Sequence, residues 1–236
     1  MYRDHFSAVS RQYAAFRPRY PATLFEYLAG IAPRRERAWD CACGSGQASH
    51  DLARHFTSVI ASDASRAQIE AALPHARVDY RVATAEDSGL APGSIDLIAV
   101  AQAAHWFDLT RFYAEVRRIA APRAAIALWS YGVLTLAHPP SNDRVQQFYA
   151  ETLAGYWPAE RKWVEEGYRT LAFPFAELIP PQFAIELEWS LPELIGYLQS
   201  WSATQRFVEE NGVDPTLDLA DAIATDWGDT HARRGI

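Results

Sequence analysis

The chain has 236 residues, of which 49% are hydrophobic and 22% charged, which suits one α/β domain with an elaboration rather than a disordered protein. Its 22 basic and 29 acidic residues give a formal net charge of −7 without a basic cluster, so nucleic acid is disfavoured as a partner. There is no apolar run of signal-peptide or membrane-span length, and Cys41 and Cys43 lack companion metal ligands, so we expect a cytoplasmic protein that binds neither membrane nor metal.

Short apolar runs alternate with amphipathic stretches between residues 37 and 132. Strands are predicted at 38–42, 59–61, 78–83, 95–100 and 124–129. Helices are predicted around 52–56, 67–73 and 112–119, the last with Asp108 as its N-cap. Because alternating strands and helices form βαβ units, we predict an α/β fold with a doubly wound, Rossmann-like, mostly parallel sheet and helices on both faces.

The second half of the chain has a different composition. Residues 133–182 are rich in proline and aromatic residues and are predicted as a helical insertion after strand five. Residues 183–189 alternate between apolar and polar types and predict a sixth strand, followed by helices at 191–207 and 217–227. With no repeat or linker between these parts, we predict a single domain over residues 1–236.

A turn that contains two glycines follows the first predicted strand. Asp40 ends the strand, Gly44 and Gly46 follow, and a helix begins after them. Glycine lets the backbone approach a ligand closely, and open α/β sheets bind ligands at the carboxyl ends of their strands. The dinucleotide fingerprint requires a third small residue three positions after the second glycine, where this chain has Ser49. The turn alone does not decide between cofactors.

Two further acids follow predicted strands. Asp63 ends strand two, where a carboxylate can accept both hydroxyls of a ribose, as in nicotinamide enzymes and in methyltransferases. Glu86 follows strand three, where an acid can accept a hydrogen bond from the amino group of adenine. The adenine-edge acid favours a methyltransferase over a nicotinamide-dependent oxidoreductase.

In this order the motifs resemble those of the class I S-adenosylmethionine-dependent methyltransferases. The similarity is greatest to the small-molecule branch that includes the trans-aconitate and the menaquinone and ubiquinone methyltransferases. It is carried by residues 39–46, 61–63, 85–87, 93–97 and 102–107, with a further match at 13–21. The resemblance implies an enzyme that uses S-adenosylmethionine, with residues 37–132 as the cofactor-binding core.

The resemblance also implies roles for single residues. The methionine end of the cofactor is expected to contact Tyr13, Arg17, Asp40, Cys41, Ala42, Gly44, Gly46 and Gln102. The ribose is expected on Asp63, and the adenine beside Ala64, Ala85 and Glu86. Tyr20, His105 and Trp106 are expected in the pocket of the acceptor, which receives the methyl group. His105 is the candidate general base, because the pKa of histidine suits proton uptake at neutral pH; alternatively, it packs with Trp106 as a wall.

Two features depart from the family pattern. Ala42 stands where the family usually has glycine, and the chain ends at Ile236, where related sequences continue into a strand. We therefore expect a C-terminal strand that is missing or shortened, and an uncovered sheet edge that favours a homodimer. The predicted function is methyl transfer to a small-molecule acceptor, with the N-terminal segment and residues 133–182 covering the acceptor site. The alternatives are a nicotinamide-dependent oxidoreductase and a catalytically inactive S-adenosylmethionine-binding protein.

Overall fold

A computed structural model of the chain describes residues 18–236. Its strands are β1 Arg37–Cys41, β2 Ser58–Asp63, β3 Val78–Val82, β4 Ile95–Ala101, β5 Ala120–Trp129, β6 Glu188–Trp189 and β7 Arg234–Gly235. Its α-helices are α1 Ala22–Ile31, α2 Gln47–Leu52, α3 Arg66–Ala71, α4 Leu109–Ile119, α5 Pro139–Gln147, α6 Arg161–Glu165, α7 Leu191–Gln199, α8 Ser202–Asn211 and α9 Thr216–Trp227. None of the helices in the described residues is both long and apolar enough to cross a membrane.

The described residues form two compact units. The first contains Arg19–Tyr131 and Lys162–Ala184, and the second contains Gly132–Arg161 and Ile185–Ile236. The single domain, the core at 37–132 and the insertion at 133–182 stay predictions.

The first unit is built on a five-stranded sheet in the order β3-β2-β1-β4-β5. Each neighbouring pair of these strands is parallel. The sheet confirms the predicted α/β class and all five predicted strands of the core. Because the strands are parallel, their carboxyl ends lie at one edge, which is where ligands bind in such sheets.

Helices cover both faces of this sheet. Successive residues of a strand point to opposite faces, so neighbouring residues of β1 and β4 enter different cores. Ala38 and Leu97 pack with residues of α1 and α2. Trp39 and Ile98 pack instead with the apolar stripe of α4, which is Phe112, Val116 and Ile119. This arrangement confirms the doubly wound prediction.

Two acids outside the candidate site have structural roles. Asp108 caps α4 as predicted, since its carboxylate accepts a hydrogen bond from Arg111 N at 3.2 Å. Asp96 is fully buried at the start of β4 and accepts from the backbone N–H groups of Glu36 and Arg37. Asp96 therefore fixes the start of β1 beside β4.

The predicted strand at 183–189 was wrong in extent and placement. Only Glu188–Trp189 is a strand, and it pairs with Arg234–Gly235 in a separate antiparallel sheet of the second unit. Phe183 packs against Tyr27 in the first unit, with ring centroids 5.8 Å apart. The alternating pattern thus spans the boundary between two units, so it does not form one strand. The two-residue β7 belongs to that separate sheet and not to the five-stranded one, so the missing or shortened C-terminal strand stays a prediction.

Two predicted helices also have different bounds. The helix predicted around 52–56 is α2, which starts at Gln47 and ends at Leu52. The helix predicted over 191–207 is two helices, α7 and α8, separated at Ser200 and Trp201. Ser200 Oγ donates to Tyr197 O at 2.6 Å, and this competition for a backbone carbonyl accompanies the end of α7.

The second unit has its own hydrophobic core. Ser190 and Glu193 form a capping box that begins α7, and Gly212 ends α8 with φ +71°. The core side chains come from all of its longer helices and include Val145, Leu153, Leu194, Leu198, Ile223 and Trp227.

Candidate functional site

The predicted cofactor residues follow the carboxyl ends of adjacent parallel strands. Asp40 lies near the end of β1, Asp63 ends β2, and Gln102 comes directly after β4. The pairing of Cys41 with Ser62 brings the first two ends side by side. Tyr13 and Arg17 lie outside the described residues.

Left-handed residues shape the turn after β1. Ala42, Gly44 and Gly46 have φ angles of +56°, +56° and +87°. Backbone hydrogen bonds hold the turn, from Cys43 N to Ser62 O and from Gly46 N to Cys43 O, each at 3.0 Å. Glycine favours this conformation, so Ala42 occupies a backbone position that is strained for a residue with a Cβ.

Tyr80 explains why Gly46 is glycine. A Cβ on Gly46 would lie 2.8 Å from Tyr80 Cε1 and would overlap the tyrosine hydroxyl. Burial raises the pKa of Tyr80 to about 12, so this hydroxyl stays protonated. Tyr80 was not predicted in the site, because its only signal in the sequence is its position on the third strand.

Asp40 is fully buried beneath the turn. Its Oδ2 accepts a hydrogen bond from Ser49 Oγ at 2.5 Å, and its Oδ1 has no hydrogen-bond partner among the described residues. Burial raises the pKa of this carboxyl to about 7, and the nearby charge of Asp63 adds to the effect. An unpaired buried oxygen of this kind fits a ligand that brings a positive charge or a donor.

Ser49 is a second residue of the site that was not predicted from the sequence. It occupies the position of the absent third glycine, and its hydroxyl is buried against Asp40. The sequence shows a hydroxyl residue three positions after Gly46, but it does not show that this hydroxyl is directed at Asp40.

Asp63 supports the turn from the neighbouring strand. Its Oδ2 accepts from Gly44 N at 2.9 Å, and its Oδ1 accepts from Ser65 N at 2.8 Å. A carboxylate oxygen can accept more than one hydrogen bond, so these two bonds do not by themselves exclude ribose hydroxyls. Asp63 therefore positions the turn in addition to the role predicted for it.

The residues predicted beside the adenine follow the carboxyl ends of β2 and β3. Ala85 is buried in the core on the α4 side of the sheet, and Ala64 is half-buried after β2. Glu86 Oε1 accepts from Asp108 N at 3.0 Å. The carboxylate of Glu86 thus links the loop after β3 to the first turn of α4.

Gln102 is a second non-glycine residue in the left-handed region, with φ +58°. Its N–H donates to Trp129 O at 2.9 Å and its Nε2 to Tyr131 O at 3.1 Å. Strained backbone that is held by several bonds is common at ligand-binding sites, although it does not identify the ligand.

His105 lies in the short 3-10 turn that follows β4. Its Nδ1 is 2.7 Å from the hydroxyl of Tyr168, and its ring centroid is 4.7 Å from that of Trp106. Tyr20, also predicted in the acceptor pocket, packs beside Trp129 at the end of β5. The contact between His105 and Tyr168 joins residues 63 positions apart, so no local pattern announces it.

Comparison with known proteins decides the family. A family model described as a methyltransferase domain matches residues 39–128. A Dictyostelium discoideum protein described as a methyltransferase is 34% identical over 223 residues, which cover 93% of this chain and 85% of that protein. The chain is a class I S-adenosylmethionine-dependent methyltransferase. The nicotinamide-dependent oxidoreductase is thereby set aside, whereas the small-molecule branch stays a prediction.

Two more proteins resemble this methyltransferase. A solved structure described as a type II methyltransferase from Anaeromyxobacter dehalogenans is 48% identical, covers 93% of each chain and has a TM-score of 0.87. A Saccharomyces cerevisiae protein named as an S-adenosylmethionine-dependent methyltransferase is 31% identical over 131 residues, 52% of this chain and 45% of that protein.

The site of this methyltransferase fits its cofactor. S-adenosylmethionine carries an ammonium group, a positively charged sulfur and a ribose with two hydroxyls. One oxygen of the buried Asp40 has no hydrogen-bond partner among the described residues, and the carboxylate of Asp63 lies at the adjacent strand end. The space beside Gly44 is open to a ligand, because the nearest heavy atom to a Cβ at this position would be 3.8 Å away.

Proposed function

We propose that this methyltransferase methylates a small molecule whose nucleophilic atom carries a proton, and that His105 accepts this proton. The observation that carries the proposal is the position of His105. It follows β4 at the same sheet edge as Asp40 and Asp63, and Tyr168 contacts its Nδ1. The second ring nitrogen, Nε2, is then the one that takes the proton.

The residues that hold the cofactor are proposed from the strand ends. Asp40 and the turn from Cys41 to Gly46 hold the methionine end, and Asp63 accepts from the ribose. Ala64, Ala85 and Glu86 border the adenine, and Gln102 offers its carbonyl to the amino group, supported by its left-handed backbone.

Each proposed step uses chemistry that these side chains have. When bound, S-adenosylmethionine supplies a methyl group on a positively charged sulfur. The acceptor is aligned by the aromatic rings beside His105, of which Trp106 is 37% exposed. His105 takes the proton of the acceptor and later releases it to solvent. The net charge of −7 supports a small molecule over a nucleic acid as the acceptor.

A methyl-transfer assay tests this function. The protein is incubated with S-adenosylmethionine carrying a labelled methyl group and with panels of phenols, carboxylic acids and amines. We expect turnover with one class, and a loss of more than tenfold in kcat for His105→Gln with unchanged binding of S-adenosylhomocysteine. A loss below tenfold removes His105 as the base. Binding without turnover on every panel favours the catalytically inactive alternative.

The proposed role of Asp63 has a separate prediction. Asp63→Ala removes the predicted ribose acceptor, one hydrogen bond to the turn at Gly44 N and one to Ser65 N, so we expect at least tenfold weaker binding of S-adenosylhomocysteine by calorimetry. Asp79→Ala is the matched control, because this acid on β3 makes an exposed pair with Arg81. Equal affinity of the two variants, with both folded by circular dichroism, would exclude Asp63 from the site.

A further inference from the structure

We propose that Tyr168 is a positioning residue that holds His105 in the tautomer protonated at Nδ1, leaving Nε2 as the basic nitrogen. The proposal rests on the proposed function, in which His105 takes a proton from the acceptor. It adds a residue from the segment Lys162–Ala184, which no strand motif includes.

The contact between the two residues is close and enclosed. Tyr168 Oη and His105 Nδ1 are 2.7 Å apart, and the two ring centroids are 5.9 Å apart. Tyr168 is 8% exposed and belongs to the core that also contains Ala103 and Ala104, next to His105. Burial limits the orientations of the Tyr168 ring, and its hydroxyl contacts Nδ1 of the half-buried His105, so the hydrogen bond engages this nitrogen.

The backbone conformation at Tyr168 is strained. Gly167 and Tyr168 both have left-handed φ angles, +60° and +61°, in the turn that follows α6. Gly167 N donates to Val164 O at 3.0 Å, and Tyr168 N donates to Trp163 O at 2.8 Å. A non-glycine residue in this region is strained, and strain of this kind persists only where the surrounding structure holds the residue in place.

The same segment is fixed at two more points. Ser130 Oγ contacts Val164 O at 3.5 Å just after β5. Tyr113 Oη donates to Ala172 O at 2.7 Å from α4. The hydroxyl of Tyr168 is therefore presented by a segment that is attached to the sheet and to α4.

The direction of the hydrogen bond between His105 and Tyr168 follows from the proton that His105 is proposed to accept. After His105 has accepted a proton it carries N–H groups on both nitrogens, so Nδ1 must donate, and the phenolic oxygen of Tyr168 is placed to accept. Neutral His105 can reach this doubly protonated state without reversing its hydrogen bond to Tyr168 only if its single ring proton is already on Nδ1. Nε2 then receives the proton of the acceptor, and the charge that forms on the ring is stabilised by Tyr168.

Nuclear magnetic resonance of the cofactor-free protein tests the proposal. Two-bond proton–nitrogen spectra of the chain with labelled histidine report the tautomer and pKa of each ring, and His105→Gln assigns the signals. We expect the Nδ1–H tautomer in the unsubstituted protein. Tyr168→Phe should convert His105 mainly to the Nε2–H tautomer. It should also lower the pKa of His105 by about half to one unit, since it removes the acceptor that stabilises the charged ring.

Tyr27→Phe is the matched control, because it removes a tyrosine hydroxyl from α1 in the same unit, where the ring packs against Phe183 rather than against His105. It should leave the His105 signals unchanged. An Nε2–H tautomer in the unsubstituted protein overturns the proposal, as do identical tautomers and pKa values before and after Tyr168→Phe. Should Tyr168→Phe fail to fold, an Nδ1–H signal with a coupling from Tyr168 supports the proposal in the unsubstituted protein, and an Nε2–H signal refutes it.

The two proposals fail in different ways. Full turnover by His105→Gln overturns the base function, whereas the tautomer measured without cofactor still decides the role of Tyr168. An unaltered tautomer in Tyr168→Phe overturns the positioning role, whatever turnover shows.

Discussion

At the scale of single residues, the site uses strained backbone and a buried acid. Ala42, Gln102 and Tyr168 all have positive φ angles without being glycine, and each lies in or beside the predicted site. Asp40 combines complete burial with a pKa of about 7, close to physiological pH. Both features have consequences that single substitutions can measure.

Ala42→Gly should stabilise the protein. Glycine adopts the observed φ of +56° without a Cβ penalty, which outweighs its greater entropy in the unfolded chain. We expect the free energy of unfolding in urea to rise by about 0.5–1 kcal/mol. Ala48→Gly in α2 serves as the opposite control, with an expected loss of about 1 kcal/mol. A loss of stability in Ala42→Gly would contradict the strain.

Asp40 should make cofactor binding dependent on pH. Burial, the main cause, raises its pKa in the free protein to about 7, so the carboxyl is mostly protonated at pH 6. A ligand with a positive charge favours the ionised form. The affinity for S-adenosylhomocysteine should therefore rise with pH, by up to tenfold per unit below about 7, and level off above it.

Calorimetric titrations between pH 5.5 and 8 measure this dependence. Asp40→Asn should abolish it, and Ser49→Ala should move it to higher pH because the Ser49 hydrogen bond lowers the pKa of Asp40. The same pH profile in Asp40→Asn would assign the titration to another group.

At the scale of elements, the alternation of strands and helices was predictable because each has a local period. The five core strands and the Asp108 cap followed from that period. The strand predicted at 183–189 failed for a tertiary reason. Period-2 alternation shows that one side of a segment is buried, but not that the whole segment has one partner strand.

Glu115 of α4 links this helix to the loop after β3. It accepts hydrogen bonds from Arg118 Nε at 2.7 Å and from Ser88 N at 3.0 Å, and these lower its pKa to about 2. A lowered pKa stabilises the fold above the ordinary value of 4.5, and this contribution is lost as the pH falls to 2.

Glu115→Gln should therefore destabilise the protein by about 2 kcal/mol at pH 7, a figure reduced because Arg118 is 40% exposed. The difference from the unsubstituted protein should shrink towards pH 2 in urea unfolding. Glu36→Gln, in an exposed pair with Arg34, should change stability little at either pH. A difference that does not vary with pH would show that charge is not the cause.

At the scale of the whole molecule, the sheet edges matter. Among residues 18–236 no strand pairs with the outer edge of β5, since β6 and β7 form a separate sheet. Unpaired edges favour association with another chain. We expect light scattering to give a mass near twice the 26.4 kDa of one chain at high concentration, falling towards one chain on dilution. A single-chain mass at every concentration would argue against a homodimer.

The sequence by itself determined the α/β class, the turn after β1 and the order of the acids at the strand ends, and its resemblance to known methyltransferases indicated the family. These features are local, because periodicity, glycine and strand-end acids are each visible within a few residues. Only the tertiary structure decided that Asp40 is buried with Ser49, that Tyr80 excludes a side chain at Gly46, and that Tyr168 contacts His105. Burial and hydrogen bonding depend on residues that are distant along the chain and adjacent only after folding.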